Sequence, residues 1–225
     1  MIKIENTVVP SNEQWKSIIL GTRNPKNSWD RYDSKVVNDI FVIGPNDYSL
    51  LTRLAKSGTE HRKYMRGLTV SMDVTAPLYW WKEFDQHKIG TTTNSCSTMH
   101  KIQAKEFMLE DFSHEHLMMF EDYAMDIPDD GDIAIGGDFR TALEVTIMAL
   151  NDARELYLKT KDKRYWWQMI QLLPSSYNQR RTVMLNYEVL AGIYPKRKDH
   201  KLDEWHDFCD WIKILPYSEI ITLEE

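Results

Sequence analysis

The sequence predicts an α+β domain whose C-terminal half is rich in helix, and three observations carry that reading. Leu68, Val70, Met72 and Val74 alternate with Thr69, Ser71 and Asp73, the period of a half-buried strand. That strand leads into Pro77 and an aromatic helix pattern, so strand and helix share one stretch of chain. From Leu143 to Ile214 apolar residues recur at helical spacing. A chain of 225 residues, 42% hydrophobic, can bury one sizeable core and is short for two, so a single domain over 1–225 is expected.

In chain order, Ile2 to Val9 reads as a short strand. Ser11 reads as the N-cap of a helix over Asn12 to Leu20, with Glu13 in its first turn and Gly21 as its stop. Thr22 to Trp29 is a loop rich in Asn and Pro. Gly44-Pro45-Asn46-Asp47 opens a second helix, with Leu50, Leu51, Leu54 and Ala55 giving its period and Ser57-Gly58 its end; His61 follows. After Pro77, Leu78, Trp81, Phe84 and the stem of Lys88 fall on one helix face, which places His87 and Lys88 at its C-terminal end. Thr91, Thr92, Thr93, Asn94, Ser95, Ser97 and Thr98 then make a loop too polar for a core, suited to water or a polar ligand. Ile127 to Asp132 with Gly136-Gly137 reads as an acidic surface loop; no Gly-Lys-Ser/Thr follows, and its Asp residues would repel phosphate. Further helices are expected through Leu143, Val145, Ile147, Met148, Leu150 and Leu158, then over Tyr165–Leu173, Tyr177–Tyr194 and Leu202–Ile214.

A net charge of −6 argues against a general nucleic-acid surface, which needs clustered cations, and leaves room for a small anion held by a few local Arg or Lys. Cys96 and Cys209 lie far apart without metal-ligand spacing, so neither a disulfide framework nor a zinc site is indicated and a reduced, cytoplasmic setting is expected. The start, MIKIENTVVPSNEQW, lacks the basic-then-apolar pattern of a leader, and no apolar run is long enough to cross a bilayer. His114-Glu115-His116 sends its two imidazoles in different directions with no third ligand placed nearby, so a surface cap is expected rather than a metal site. The eight Trp and eleven Tyr include the pairs Trp80-Trp81 and Trp166-Trp167; such rings are mostly core or interface, and they can also stack on a planar ligand.

Two groups of residues go further. The first is Gln86-His87-Lys88, followed after eight residues by Ser97-Thr98-Met99, preceded by Asp73-Val74-Thr75-Ala76-Pro77 and, 26 positions before His87, by His61. The second is Leu172-Leu173-Pro174, Tyr177, Asn186 and, 11 positions on, Arg197. In order and spacing they resemble the flavin-dependent thymidylate synthase family, in which an Arg-His-Arg triplet ends a helix and a Ser-x-Arg pair follows seven residues later. The resemblance runs in outline from Trp29 to Trp211 and closely over 61–100 and 172–205; Ser28-Trp29 falls at a Ser-Phe pair that the family keeps near its flavin.

The resemblance implies an antiparallel sheet flanked by long helices and a homotetramer. It implies reductive methylation of dUMP to dTMP, with methylenetetrahydrofolate as one-carbon donor, FAD as hydride carrier and NADPH as its reductant. His61, His87, Lys88, Ile89 and Asn186 would hold FAD; Gln86, Ser97 and Arg197 would hold the nucleotide, with Arg197 the catalytic cation that meets an activated pyrimidine. Ser97 has no basic His-Asp pair around it in sequence and is not read as a nucleophile. No metal, nucleic-acid polymer or membrane is expected as a partner. Four family Arg positions carry Gln86, Met99, Ile170 and Glu188 instead, and Lys88 keeps the charge of a fifth without its fork. Each lost charge-assisted hydrogen bond is worth about 1.5–3 kcal/mol. Arg180, Arg181, Lys101 and Lys196 are the candidates to compensate. The alternative is a flavin- or nucleotide-binding homologue with an altered pyrimidine substrate or no thymidylate synthase activity; a third reading is an unrelated helical interaction protein.

Overall fold

The computed structural model describes residues 2–123 and 138–223, so the acidic loop expected over Ile127 to Gly137 lies outside the described residues. Lys3–Val8 forms β1, Asn12–Arg23 α1, Lys35–Val37 β2, Ile40–Val42 β3, Pro45–Lys56 α2, Thr69–Pro77 β4, Leu78–Phe84 α3 and Thr92–Ser95 β5. Phe120–Tyr123 is α4, Phe139–Thr160 α5, Lys163–Leu172 α6, Asn178–Asn186 β6, Tyr187–Arg197 α7, Asp203–Lys213 α8 and Glu219–Thr222 α9. The fold is α+β with a helix-rich C-terminal half, as the sequence predicts. A four-stranded sheet has the order β1-β4-β6-β5, with β1 antiparallel to β4 and Lys3 opposite Thr75; β2 and β3 form a separate antiparallel hairpin. Among the described residues no helix is long and apolar enough to cross a membrane.

The chain divides into two compact units. The larger comprises 2–75, 82–94 and 180 onward. Its core takes Val70, Met72 and Val74 from β4, Val183 and Leu185 from β6, Trp15 and Ile19 from α1, Tyr187, Leu190 and Ile193 from α7, and Trp205, Phe208 and Ile212 from α8. Burying each of these large side chains contributes about 1.5–3 kcal/mol. Ser11 caps α1 in a full capping box with Gln14. The smaller unit comprises 76–81 and 95–179. There α5 and α6 bury Leu143, Ile147, Leu150, Ala153 and Met169 against Ile102, Phe107 and Phe112, while Val145, Met148 and Leu158 stay exposed. Asn151 clamps the incoming loop by bonding both the N–H and the carbonyl of Phe107 at 2.9 Å.

Several boundaries differ from expectation for local reasons. Gly21 does not stop α1, which runs on to Arg23 because the Arg23 guanidinium, 3% exposed, is drawn into a buried ion pair with Asp47. Pro77 closes β4 instead of opening a helix, and α3 starts at Leu78, whose N–H bonds the Tyr177 carbonyl at 3.0 Å. α3 is short and ends at Phe84, so Lys88 lies past it and its stem extends no helix face. The polar loop contains a strand, β5, exposed along its whole length. The helix expected over Tyr177–Tyr194 is first β6 and only then α7: Gln179, Val183 and Leu185 are buried while Arg180, Thr182 and Met184 are exposed, a period of two. His114-Glu115-His116 caps no helix, since α4 begins later at Phe120; His114 Nδ1 instead lies 2.8 Å from the Phe112 carbonyl. The β2–β3 hairpin was not expected; Asn38 and Asp39, at φ 50° and 61°, form the tight turn that joins Val37 to Ile40.

Candidate functional site

The larger unit assembles a site from the segment after α3, the β6–α7 junction and the end of α7. α3 closes with the Gln86 N–H on the Glu83 carbonyl at 3.2 Å and the His87 N–H on the Phe84 carbonyl at 2.9 Å. These bonds turn the His87 ring onto aromatic edges, with centroids 6.4 Å from Phe84 and 6.2 Å from Trp205. His87 Nε2 is buried with no hydrogen-bond partner. Burial first, then the charges of Arg197 and Lys196, hold its pKa below the ordinary 6.5, so the ring is neutral at pH 7 and carries one donor and one acceptor.

Trp205 links His87 to Arg197. The Arg197 guanidinium carbon lies 4.4 Å from the Trp205 ring centroid, and its Nη1 donates to Glu83 Oε2 at 2.5 Å. The same oxygen accepts from Trp205 Nε1 at 3.2 Å and lies 3.3 Å from His200 Nε2. Arg197 Nε, like His87 Nε2, is buried and unpartnered. Basic run or not, this residue is a fixed, partly buried cation rather than a solvated helix end.

Two cavities open in this unit; His87 lines the smaller, while Arg197 and Trp205 line neither. A small one of about 110 Å³ is lined by Phe84, Asp85, His87, Lys88, Thr91 and Thr93. A larger one of about 480 Å³ is bounded by Val8, Gln14, Ser71, Thr91, Met184 and Asn186 among others, and none of its lining residues is charged. Thr91 borders both, and its Oγ1 is a third buried atom without a partner. Asn186 caps α7, its Oδ1 accepting from the Val189 N–H at 3.1 Å. Gly90, at φ +78°, is packed so closely on this cap that a Cβ there would lie 3.1 Å from Asn186 Nδ2 and 3.0 Å from Val189 Cγ2.

The remaining expected residues stand apart. His61 is exposed in the turn before a 3-10 segment, Arg62–Gly67; Gln86 is exposed, and Ile89 is 94% exposed; none of the three lines either cavity. Ser97 belongs to the smaller unit, where its Oγ accepts the N–H groups of Met99 and His100 at 3.2 and 2.9 Å and so fixes a turn. Among the described residues no group of three or more His, Cys, Asp or Glu could hold a metal. Glu83, Gly90, His200 and Trp205 escaped the sequence reading. The one available signal was an acid, Glu83, set on a short helix between the core positions Trp81 and Phe84.

No family model and no curated protein matches the sequence. Solved structures do match. Thymidylate synthase X (ThyX) from Helicobacter pylori, solved with FAD and dUMP, aligns over 100% of this chain and 98% of its own at TM-score 0.65 and 14% identity. The UMP/dUMP methylase PolB from Streptomyces cacaoi, bound with 5-Br dUMP, aligns over 99% and 95% at TM-score 0.61 and 17% identity. The chain has a flavin-dependent thymidylate synthase-like fold. Of the four positions that the resemblance matches to a family Arg, two are engaged elsewhere. Glu188 grips Arg66 with two bonds of 2.5 and 3.1 Å, and Ile170 packs on the α5–α6 core. Gln86 and Met99 are exposed. Of the candidate compensating cations, Arg180 is paired with Asp73 and Arg181 with Asp85, both at 2.7 Å, while Lys101 and Lys196 are exposed.

Proposed function

We propose that this protein is a divergent flavin-dependent thymidylate synthase, making dTMP from dUMP by reductive methylation with methylenetetrahydrofolate as the one-carbon donor and NADPH as the reductant. The observation that carries this reading is the pair of buried, unpartnered polar atoms His87 Nε2 and Arg197 Nε, both at positions where the likeness to the family calls for ligand, with Thr91 Oγ1 a third such atom on the cavity wall. A buried polar atom left without a partner costs about 1–3 kcal/mol, and a polar ligand would complete all three: His87 and Thr91 line the small cavity, and Arg197, which lines neither cavity, is joined to His87 through the Trp205 ring. An uncharged cavity of about 480 Å³ bounded by Asn186 and Thr91 fits a planar ring system, so the residues present suit FAD.

When bound and reduced, FAD would supply the hydride. The chain's own residues would bind and orient. Neutral His87, with Asn186, Thr91 and the Lys88 charge at the rim, would hold the flavin. Arg197, pinned by Glu83 and Trp205, would face the negative charge that builds on the pyrimidine ring without having to reorganise. His61, Ile89 and Gln86 would join this site as the resemblance implies, and assembly from several subunits is the natural way to cover residues as exposed as Ile89. The exposed stripe of Val145, Met148 and Leu156 on α5 supports a homotetramer. We place the protein in the cytoplasm and treat 1–225 as one functional domain, a reading supported by alignment over 98% of ThyX. The lost Arg positions and the likeness to a UMP/dUMP methylase favour a second reading, in which UMP or another pyrimidine nucleotide is preferred or thymidylate synthesis is lost.

The test is the visible spectrum of the purified protein with FAD, titrated with dUMP and with UMP, followed by complementation of a thymidine-requiring bacterium. A flavin band that moves with dUMP, together with growth, supports the first reading. A band that moves only with UMP supports the second, and no flavin binding removes the first and leaves a relative that has lost thymidylate synthesis.

A further inference from the structure

Resting on that reading, we infer that Glu83 is the positioning residue that sets the Arg197 guanidinium for the nucleotide, acting through Arg197 and never touching the ligand itself. A single carboxylate oxygen, Oε2, collects three groups: Arg197 Nη1 at 2.5 Å, Trp205 Nε1 at 3.2 Å and His200 Nε2 at 3.3 Å. The His200 tautomer follows from its other nitrogen. Nδ1 accepts the Leu202 N–H at 3.1 Å, so the proton sits on Nε2, the nitrogen 3.3 Å from Glu83 Oε2. Glu83 is thus held by α8 through Trp205 and by the α7–α8 turn through His200, and it cannot follow Arg197 if that side chain moves.

The result for Arg197 is restraint on two sides. One edge is tied to a carboxylate that is itself tied down, and one face lies 4.4 Å from the Trp205 ring. Nε remains buried and without a partner. An Arg side chain ordinarily loses much rotamer freedom when it binds a ligand; here the bond to Glu83 and the Trp205 face already restrict it, so the N–H edge is set by the chain itself. A glutamate is suited to this because only a full charge holds a guanidinium, an indole N–H and an imidazole N–H on one atom.

The experiment compares wild type, Glu83→Gln, Arg197→Met and the double variant, all FAD-loaded, by calorimetric titration with dUMP and UMP. Circular dichroism and thermal melting check that each is folded. Glu83→Gln should weaken nucleotide binding about tenfold to a hundredfold, the loss expected for one charge-assisted hydrogen bond. In the Arg197→Met background the same change should add nothing. A further loss in the double variant would mean that Glu83 contacts the ligand directly and would overturn the inference, as would unchanged binding in the single variant. A second readout needs no ligand: the Arg197 Nε–H and Trp205 indole N–H resonances should be sharp and slow to exchange in wild type and should broaden or exchange faster in Glu83→Gln. If wild type binds neither nucleotide, the functional reading fails, and the resonances alone decide for or against Glu83.

Discussion

Replacing Asp47 by Asn should cost about 3–5 kcal/mol, the toll of breaking one side of a buried ion pair. Asp47 is fully buried and receives five donors. Arg23 Nε and Nη2 reach Oδ1 at 2.8 and 2.5 Å; the N–H groups of Asp33 and Ser34 reach Oδ2 at 3.0 Å, and Ser34 Oγ reaches it at 2.6 Å. An amide presents one acceptor oxygen where the carboxylate presents two, so whichever way the substituted side chain turned, its NH₂ would face donors. The Arg23 charge, 3% exposed, would also lose its counterion. For a chain of 225 residues, with about 2–4 °C per kcal/mol, melting should fall by roughly 6–20 °C.

The pH dependence checks the cause. Burial alone would raise the Asp47 pKa, but bonds from Ser34, from the Asp33 N–H and from Arg23 outweigh it and hold the pKa below 3.8. A carboxylate depressed in the folded state stabilises fully above its unfolded pKa and loses that contribution as pH falls through the folded value. The urea-midpoint gap between wild type and Asp47→Asn should therefore be flat from neutral pH down to about 5 and shrink below 3.8. A cost below about 1 kcal/mol, or a gap unchanged by acid, would refute the reasoning.

Two further perturbations read the site. His87 should titrate below 6.5 in a nuclear magnetic resonance series; Arg197→Met should raise its pKa while leaving it under 6.5, because burial is the larger cause and remains. A value that does not move would remove Arg197 from its neighbourhood. Gly90→Ala should destabilise by about 1–2 kcal/mol, since φ is +78° and the new Cβ presses on the Asn186 cap; FAD affinity should fall with it, by absorbance titration. A neutral effect would mean that the cap yields freely.

The fold was legible wherever one period dominated. Helices α1, α2, α5, α6 and α8 follow from apolar spacing and their caps, and β4 from its clean alternation. β6 was not, because Gln179 and Arg181 occupy inward positions of the strand and break its apolar alternation, and the helix that follows shares its Val and Leu. Asn186 could be named from spacing, yet its place as a helix cap is a tertiary fact that appears only once the strand ends there. The site was half legible for the same reason. His87 and Arg197 stand in recognisable patterns; Glu83 and Trp205, which bind the two into one cluster, lie in no motif and are 122 positions apart.

The cations missing from the family pattern can be put back one at a time, and Glu188 is the informative place to start. It lies two residues past Asn186, in the first turn of α7, and spends its charge on Arg66. Arg180 and Arg181 are likewise paired with carboxylates, so the basic residues near the sheet are neutralised locally and few are left for a phosphate. Glu188→Arg changes the local charge by two units and frees Arg66. If weak phosphate recognition is what separates this chain from a thymidylate synthase, nucleotide affinity should rise about tenfold or more at low salt, and the gain should fade as salt is added. A gain shared by dUMP and uridine would mean that the charge acts on the pyrimidine and not on the phosphate. No gain for either nucleotide would mean that Glu188 lies outside the ligand's reach, and the exchange of Arg for Glu would then be a surface ion pair that carries no information about the substrate.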